Sequence, residues 1–143
     1  MIPDLPTIEQ LNALNQDTLM GALGMEYLEV KAGYVYARMP VDERTMQPAG
    51  ILHGGSSLAL AETLAGIGSV LLVDPAEHEV RGAHITANHV LAGKGHWVFG
   101  KATIIHQGRN THLWNIDIFD QDEKLISTCR ITNFIIKKNT QKP

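Results

Sequence analysis

The residues best suited to chemistry lie in one stretch, from Gln47 to Val73. Its one acidic side chain is Glu62, which stands among apolar or small residues and has no Lys or Arg beside it in the stretch. A carboxylate in such surroundings is costly to desolvate unless it has partners or a task, so we expect a buried functional glutamate. It could accept a proton as a general base or attack a carbonyl carbon as a nucleophile.

His53-Gly54-Gly55 stands directly before the helix that is predicted to carry Glu62. Glycines leave backbone amides unshielded, and amides at a helix N-terminus stabilise developing negative charge. The Gly54 N–H could therefore act as an oxyanion hole, and Gln47 and His53 could donate to the same oxygen. The alternative is a plain loop-to-helix transition, capped by one of the two serines that follow.

Gly54 and Glu62 are separated by roughly 12 Å along a helix, at about 1.5 Å per residue. A glutamate side chain cannot span that length to reach an acyl group held at its own Gly54. If both residues serve one reaction, the second must come from another copy of the chain. Two such helices lying antiparallel across a two-fold axis would pair each N-terminus with the partner's Glu62. We therefore expect a homodimer with two equivalent sites at its interface.

The rest of the pattern predicts the elements that position this stretch. A chain of 143 residues favours a single domain, 1–143. We expect a short N-terminal helical segment about 7–22 and a central helix about 55–73. Period-two alternation and turn residues predict strands at 25–30, 34–41, 80–91, 97–105, 111–119 and 125–136. One helix cannot cover both faces of such a sheet, so the expected class is α+β, a curved antiparallel β-sheet wrapped around one long central helix.

Composition narrows the function classes. A net charge of −3 gives no general attraction to nucleic acid or to an anionic membrane. Cys129 is the only cysteine, and the seven histidines show no ligand spacing, so we expect no disulfide, no metal and no separate cofactor. The apolar run is shorter than a membrane span and the N-terminus has no secretory pattern, which favours a cytoplasmic protein.

Several segments together resemble the hotdog-fold acyl-CoA thioesterases. The similarity is strongest to the PaaI-like branch that includes 1,4-dihydroxy-2-naphthoyl-CoA hydrolase and the proofreading thioesterase of enterobactin synthesis. The segments that carry it are Met39-Pro40-Val41-Asp42, Arg44-Thr45-Met46-Gln47-Pro48, Gly50-Ile51-Leu52-His53-Gly54-Gly55 with Glu62, Ala87-Asn88-His89-Val90, His106-Gln107-Gly108-Arg109-Asn110 and the run 114–120.

The resemblance implies hydrolysis of a CoA thioester, with aromatic or medium-chain acyl groups as candidates. Glu62 would be the general base or nucleophile, and the Gly54 amide of the partner subunit, with His53 and Gln47, would polarise the thioester carbonyl. The family assembles as dimers that usually pair into tetramers. Residues implied in the substrate and CoA channel are Gly82, His89, Val90, Leu91, Ala92, His106, Gln107, Gly108, Arg109, Asn110 and Thr111, with Thr63 and Gly66 near the acyl group.

The sequence leaves two alternative functions open. A hotdog hydratase or dehydratase generally pairs a histidine with an acid in a different local sequence. A non-catalytic acyl-CoA sensor would keep the CoA channel and normally dispense with the acid, so Glu62 favours an enzyme. The sequence leaves the acyl group, the pathway, the contacts of Lys94 and Arg109 with CoA phosphates, and the choice between dimer and tetramer undecided.

Overall fold

The computed structural model describes residues 4–139. Its helices are α1 (Ile8–Ala13), α2 (Leu19–Ala22) and α3 (Gly54–Val70). Its strands are β1 (Glu26–Lys31), β2 (Tyr34–Pro40), β3 (His78–His89), β4 (Trp97–Gln107), β5 (Thr111–Asp120) and β6 (Leu125–Lys137). The strand bounds differ from the predicted ones by two residues at most, because each break carries turn residues.

The strands form one six-stranded antiparallel sheet in the order β1-β2-β4-β5-β6-β3. α3 packs against five of these strands, so the sheet curves around the helix. Inward-facing side chains alternate along the strands, as in β5, where every second residue is buried. The predicted α+β arrangement of a curved sheet around one long helix is confirmed.

α3 sits close to the sheet because small residues face bulky ones. A Cβ built on Gly68 would lie 2.5 Å from the Trp114 ring, so the indole rests directly on the helix backbone. The Trp114 indole N–H donates to Ser69 Oγ at 2.9 Å, and Asn133 Nδ2 donates to the same oxygen at 3.0 Å. These contacts bury one side of α3 and fix its rotation about its own axis.

The bounds of α3 differ from the predicted 55–73. The helix begins at Gly54 and ends at Val70, because Leu71 is its C-cap and a turn follows before Asp74. The N-terminal segment, predicted at about 7–22, contains two short helices, and Thr7 caps the first of them in a capping box. No described helix reaches the length and apolar character that crossing a membrane requires.

Candidate active site

The N-cap of α3 is His53, so the serine cap considered above is wrong. His53 Nδ1 accepts a hydrogen bond from the Gly55 N–H at 2.7 Å. A backbone N–H can only donate, so Nδ1 carries no proton and the neutral ring holds its proton on Nε2. The side chain is exposed. His53 can therefore both cap the helix and donate to a ligand.

Among the first amides of α3, the Gly54 N–H is the one that lacks a hydrogen-bond acceptor. The amides of Ser56 and Ser57 donate to His53 O, and that of Gly55 donates to the His53 ring. Across residues 4–139, the Gly54 N–H has no acceptor. A Cβ built on residue 54 would lie 2.7 Å from His89 Nε2, so only glycine fits beneath that ring. The amide meets the requirement for an oxyanion hole, a preorganised donor at a helix N-terminus.

Gln47 supplies a second free donor beside this amide. Its Oε1 accepts the Ala49 N–H at 2.6 Å, which leaves the Nε2 hydrogens unused by that contact. Gln47, Gly54 and the segment 89–92 line one groove of about 400 Å³. The structure thus brings Gln47 and Gly54, the expected oxyanion donors, into one groove with His89, Val90, Leu91 and Ala92, which the resemblance implies in the substrate and CoA channel.

Ser127 holds the His89 ring, although no sequence pattern points to this serine. His89 Nδ1 lies 3.0 Å from Ser127 Oγ, and that hydroxyl donates to Asn88 O at 3.3 Å. With the serine proton used in this way, His89 Nδ1 is the donor, and the Nε2 that lies toward residue 54 carries no proton. Ser127 is buried in β6, and no spacing in the sequence links it to β3.

Glu62 is exposed in the single chain, which corrects the expectation that its own core would bury it. Trp114 and Asn133 hold the opposite side of α3, and the Glu62 side turns outward over β3. A Cβ built on Gly82 would lie 2.7 Å from Glu62 Oε1, so the carboxylate rests against that glycine. Within the described chain it accepts no hydrogen bond and forms no ion pair. Its oxygens are free to act on a substrate.

A groove of about 520 Å³ runs along α3 beside Glu62, and its lining includes Thr63 and Gly66, which the resemblance implies near the acyl group. Helical periodicity alone would place Ala65 and Ser69 on the same side of α3 as Glu62, but they do not line this groove. Both are buried against the sheet, since Ser69 accepts the Trp114 indole N–H. A helix that is apolar on all sides does not show from its sequence which side its own sheet covers.

The remaining predicted residues lie at the other end of α3. Gln107, Gly108 and Arg109 line a groove of about 370 Å³ with Leu72 and Val73. The hairpin that carries them is closed by Gly108 N–H donating to Thr111 O at 2.9 Å, and Asn110 O accepts the Ile135 N–H at 2.9 Å. His106 packs on this turn, with its Nε2 2.9 Å from a Cβ built on Gly108. Burial, with the nearby charge of His106, lowers the pKa of His112 beneath the hairpin.

In one chain, therefore, those predicted site residues that line a groove are divided among three separate grooves. The open amide of Gly54 lines the first and the carboxylate of Glu62 the second, and the hairpin 106–111 contributes to the third. Each groove is open to solvent at the chain surface. No single one holds both the oxyanion donors and the carboxylate that thioester hydrolysis would use.

Comparison with known proteins gives the family. The sequence model of the thioesterase superfamily matches residues 49–127. ComA2 from Bacillus subtilis is 46% identical over 121 residues, which span 85% of this chain and 96% of ComA2. 1,4-Dihydroxy-2-naphthoyl-CoA hydrolase from Escherichia coli is 36% identical over 130 residues, 91% of this chain and 95% of that protein.

Solved structures agree with the sequence comparison. A thioesterase from Staphylococcus aureus, solved as a glutamine-to-alanine mutant, has a TM-score of 0.80 and 38% identity. The match covers 82% of this chain and 97% of that one. The same protein solved as a glutamate-to-alanine mutant gives a TM-score of 0.82, with 84% and 99% covered. The chain therefore belongs to the thioesterase superfamily with the hotdog fold, and it is a thioester hydrolase.

Proposed function

We propose that this protein hydrolyses acyl-CoA thioesters in sites shared between two copies of the chain. Glu62 of one subunit acts as general base or nucleophile, and the Gly54 N–H of the other holds the thioester oxygen. The observation that carries the proposal is the pair of unused groups: the Gly54 amide has no acceptor and Glu62 has no donor within residues 4–139. The two groups line different grooves of one chain. In the proposed site, the Gly54 amide of one subunit therefore acts together with Glu62 of the other.

The donor set on the Gly54 side fits an acyl oxygen. The Gly54 amide stands at the N-terminus of a long helix, and Gln47 Nε2 and His53 Nε2–H are free of the contacts that fix each side chain. A carbonyl oxygen that gains negative charge would be stabilised by such donors, each worth on the order of 100-fold in rate. A thiolate leaves readily, so a carboxylate or a carboxylate-activated water suffices to complete the reaction.

The two mutants of the S. aureus relative support the assignment. The glutamine and the glutamate that were replaced there stand fifteen residues apart. Gln47 and Glu62 have the same spacing in this chain. Carried over, the two mutated positions are those that we assign to the oxyanion side and to the carboxylate side of the site.

An antiparallel pair of β3 strands, one from each subunit, would also provide a surface for CoA. β3 is an edge strand, and its C-terminal end leads to 89–92 while its N-terminal end lies near the hairpin 106–111. When two β3 strands run antiparallel across a two-fold axis, the groove of His89 in one subunit meets the groove of Arg109 in the other. We place CoA along this combined surface, with the exposed Arg109 and Lys94 as the cations for its phosphates.

The test is release of CoA thiol from aliphatic and aromatic acyl-CoAs by native protein, Glu62→Gln and Glu62→Ala. We expect both variants to lose turnover by at least 100-fold while they keep the native circular dichroism spectrum and still bind CoA esters. Single turnover in ¹⁸O water then tests direct attack, because label in the Glu62 carboxylate requires an anhydride that water opens at the glutamyl carbon. Native-like turnover in Glu62→Ala would refute the assignment.

A mixing experiment tests the shared site. Glu62→Ala and Gln47→Ala chains are each weakly active as homodimers, but a mixed dimer contains one site with both residues intact. Random exchange of subunits would make half of the dimers mixed, so activity should return to about a quarter of the native value. If both residues act within one chain, mixing restores nothing, and the shared site is wrong.

A further inference from the structure

Ser127 is buried behind His89, in the wall of the groove that contains the Gly54 amide, which we call the Gly54 groove. The serine stands directly opposite His89 on the neighbouring strand β6. Its hydroxyl lies 3.0 Å from His89 Nδ1 and donates to Asn88 O at 3.3 Å. A hydroxyl has one hydrogen, and here the Asn88 carbonyl accepts it, so Ser127 acts toward the ring as an acceptor.

This contact fixes both the proton and the orientation of the His89 ring. A neutral imidazole carries one proton, and when Nδ1–H donates to Ser127 the other nitrogen, Nε2, has none. A Cβ built on Gly54 would lie 2.7 Å from Nε2 and about 2.5 Å from its own backbone nitrogen, so Nε2 is within about 5 Å of the Gly54 amide. An acceptor is therefore held beside the donor that we assign to the thioester oxygen.

The Gly54 groove thus presents polar groups of two kinds to a ligand. The Gly54 N–H and Gln47 Nε2 are donors, and His89 Nε2 is an acceptor. An acyl-CoA carries the complementary groups close together. Its thioester oxygen accepts, and the first amide N–H of the pantetheine arm, two methylene groups from the sulfur, donates. That N–H is common to all CoA thioesters, whatever their acyl group.

We propose that Ser127 is a positioning residue for the thioester. By accepting the Nδ1 proton of His89, it keeps Nε2 as the acceptor for the first amide N–H of the pantetheine arm, and this contact places the thioester carbonyl at Gly54. Without the serine oxygen the ring is free to carry its proton on Nε2, where it would meet the amide as donor against donor. The inference rests on the proposed function, since it takes the Gly54 groove as the place of the thioester.

The first experiment locates the His89 proton by ¹⁵N NMR at pH 8, since protonated and unprotonated imidazole nitrogens resonate far apart. The signals of His89 are those that are missing from His89→Gln. We expect an unprotonated Nε2 in the native protein, and a shift of its resonance when CoA is added. Ser127→Ala, and Ser127→Cys, which restores the volume with a weak acceptor, should place the proton on Nε2 in a measurable fraction of molecules. A protonated native Nε2, or one that CoA leaves unmoved, overturns the proposal.

The second experiment removes the amide N–H from the substrate. S-(2-acetamidoethyl) benzothioate keeps the first N–H of the arm, and S-(2-acetoxyethyl) benzothioate has an oxygen atom in its place. The corresponding octanethioates form a second pair. The measured quantity is the ratio of kcat/KM for the amide to kcat/KM for the ester, from release of thiol. Thr128→Ala is the control, because the hydroxyl of this neighbouring residue donates to Asp117 at 2.7 Å, away from His89.

We expect the native protein to prefer the amide by about 2- to 10-fold, the net contribution of one hydrogen bond, with the difference mainly in KM. Ser127→Ala and Ser127→Cys should bring the ratio to about one, and Thr128→Ala should keep the native ratio. A serine that only supports the fold would slow both substrates equally. An unchanged ratio in variants that retain the native circular dichroism spectrum, or a native ratio of one, therefore refutes the positioning role.

Failure of the proposed function is recognised separately, as absence of thiol release from every CoA ester by the native protein. The ¹⁵N measurement with CoA does not depend on turnover, so it still decides whether Ser127 holds His89 as an acceptor for the pantetheine arm. If Ser127→Ala does not fold, Ser127→Cys and the measurements on the native protein decide the outcome.

Discussion

Replacing Gly82 by alanine displaces the Glu62 carboxylate without touching Glu62 itself. The added Cβ would lie 2.7 Å from Oε1, and ordinary van der Waals contact begins at about 3.4 Å. The oxygen must therefore move by roughly 0.7 Å, and it can do so because it is the end of an exposed, flexible side chain. The clash is relieved by the carboxylate, so the backbone of β3 stays in place.

We expect Gly82→Ala to slow the chemical step of the reaction. A displacement on the order of 1 Å of a reacting group lowers the rate by about 100-fold. For this smaller shift we expect kcat of Gly82→Ala to fall by about 10- to 100-fold, which corresponds to about 1.4–2.7 kcal/mol of transition-state stabilisation. The free energy of unfolding should change by less than about 0.5 kcal/mol, since an exposed surface position is altered.

The assay is steady-state thiol release, combined with urea denaturation of the same samples. Thr86→Ala provides a control for a changed side chain on the same strand, and it should keep native kcat. The decisive comparison uses Glu62→Asp, whose shorter side chain withdraws from residue 82. Adding Gly82→Ala to Glu62→Asp should lower kcat by less than twofold, because the contact no longer exists. Undiminished kcat in Gly82→Ala, or full additivity in the double variant, would refute this explanation.

Three further predictions concern the packing of α3 and the burial of His112 in β5. Gly68→Ala, with its Cβ 2.5 Å from the Trp114 ring, should lose about 1–3 kcal/mol in urea denaturation, whereas Gly66→Ala, with open space around it, should gain about 0.5–1 kcal/mol. Ser69→Ala leaves the indole N–H of Trp114 without its acceptor and should lose about 1–3 kcal/mol by the same measurement. Burial keeps the pKa of His112 below its ordinary 6.5, so the unfolded chain takes up a proton that the folded chain does not, and the free energy of unfolding should fall as pH drops below about 6.5. His112→Gln should remove that part of the pH slope, and equal slopes between pH 5 and pH 8 would contradict it.

The order of elements could be predicted because turn residues mark each strand end. Gly33 adopts a positive φ of 76° between β1 and β2, a backbone shape that glycine adopts without strain in a tight turn. No comparable turn residue in the sequence predicts the bulge between Gly82 and His84 in β3. It shifts the register of β3 next to Glu62, and its position depends on pairing with β6, which is distant in sequence.

The site was predicted in part. The group formed by Gln47, Gly54 and His89 could be found because two of these residues flank one helix start and the third belongs to a recognisable segment. The hydroxyl of Ser127 could not, since the alternation of β6 shows only that this residue faces inward. That it reaches His89 depends on the pairing of β6 with β3, which is distant in sequence.

Glu62 shows why a uniformly apolar helix is ambiguous. Such a helix can be enclosed by its own sheet, or it can be covered partly by that sheet and partly by another chain. The contacts of Ser69 and Gly68 with Trp114 give the covered side. The other side carries Glu62 and Gly66, and Val70 is 41% exposed there, in a groove that is otherwise apolar. A second copy laid antiparallel on that side would cover the apolar surface and place a Gly54 amide beside the carboxylate, so the same contact that buries the helix would also complete the site.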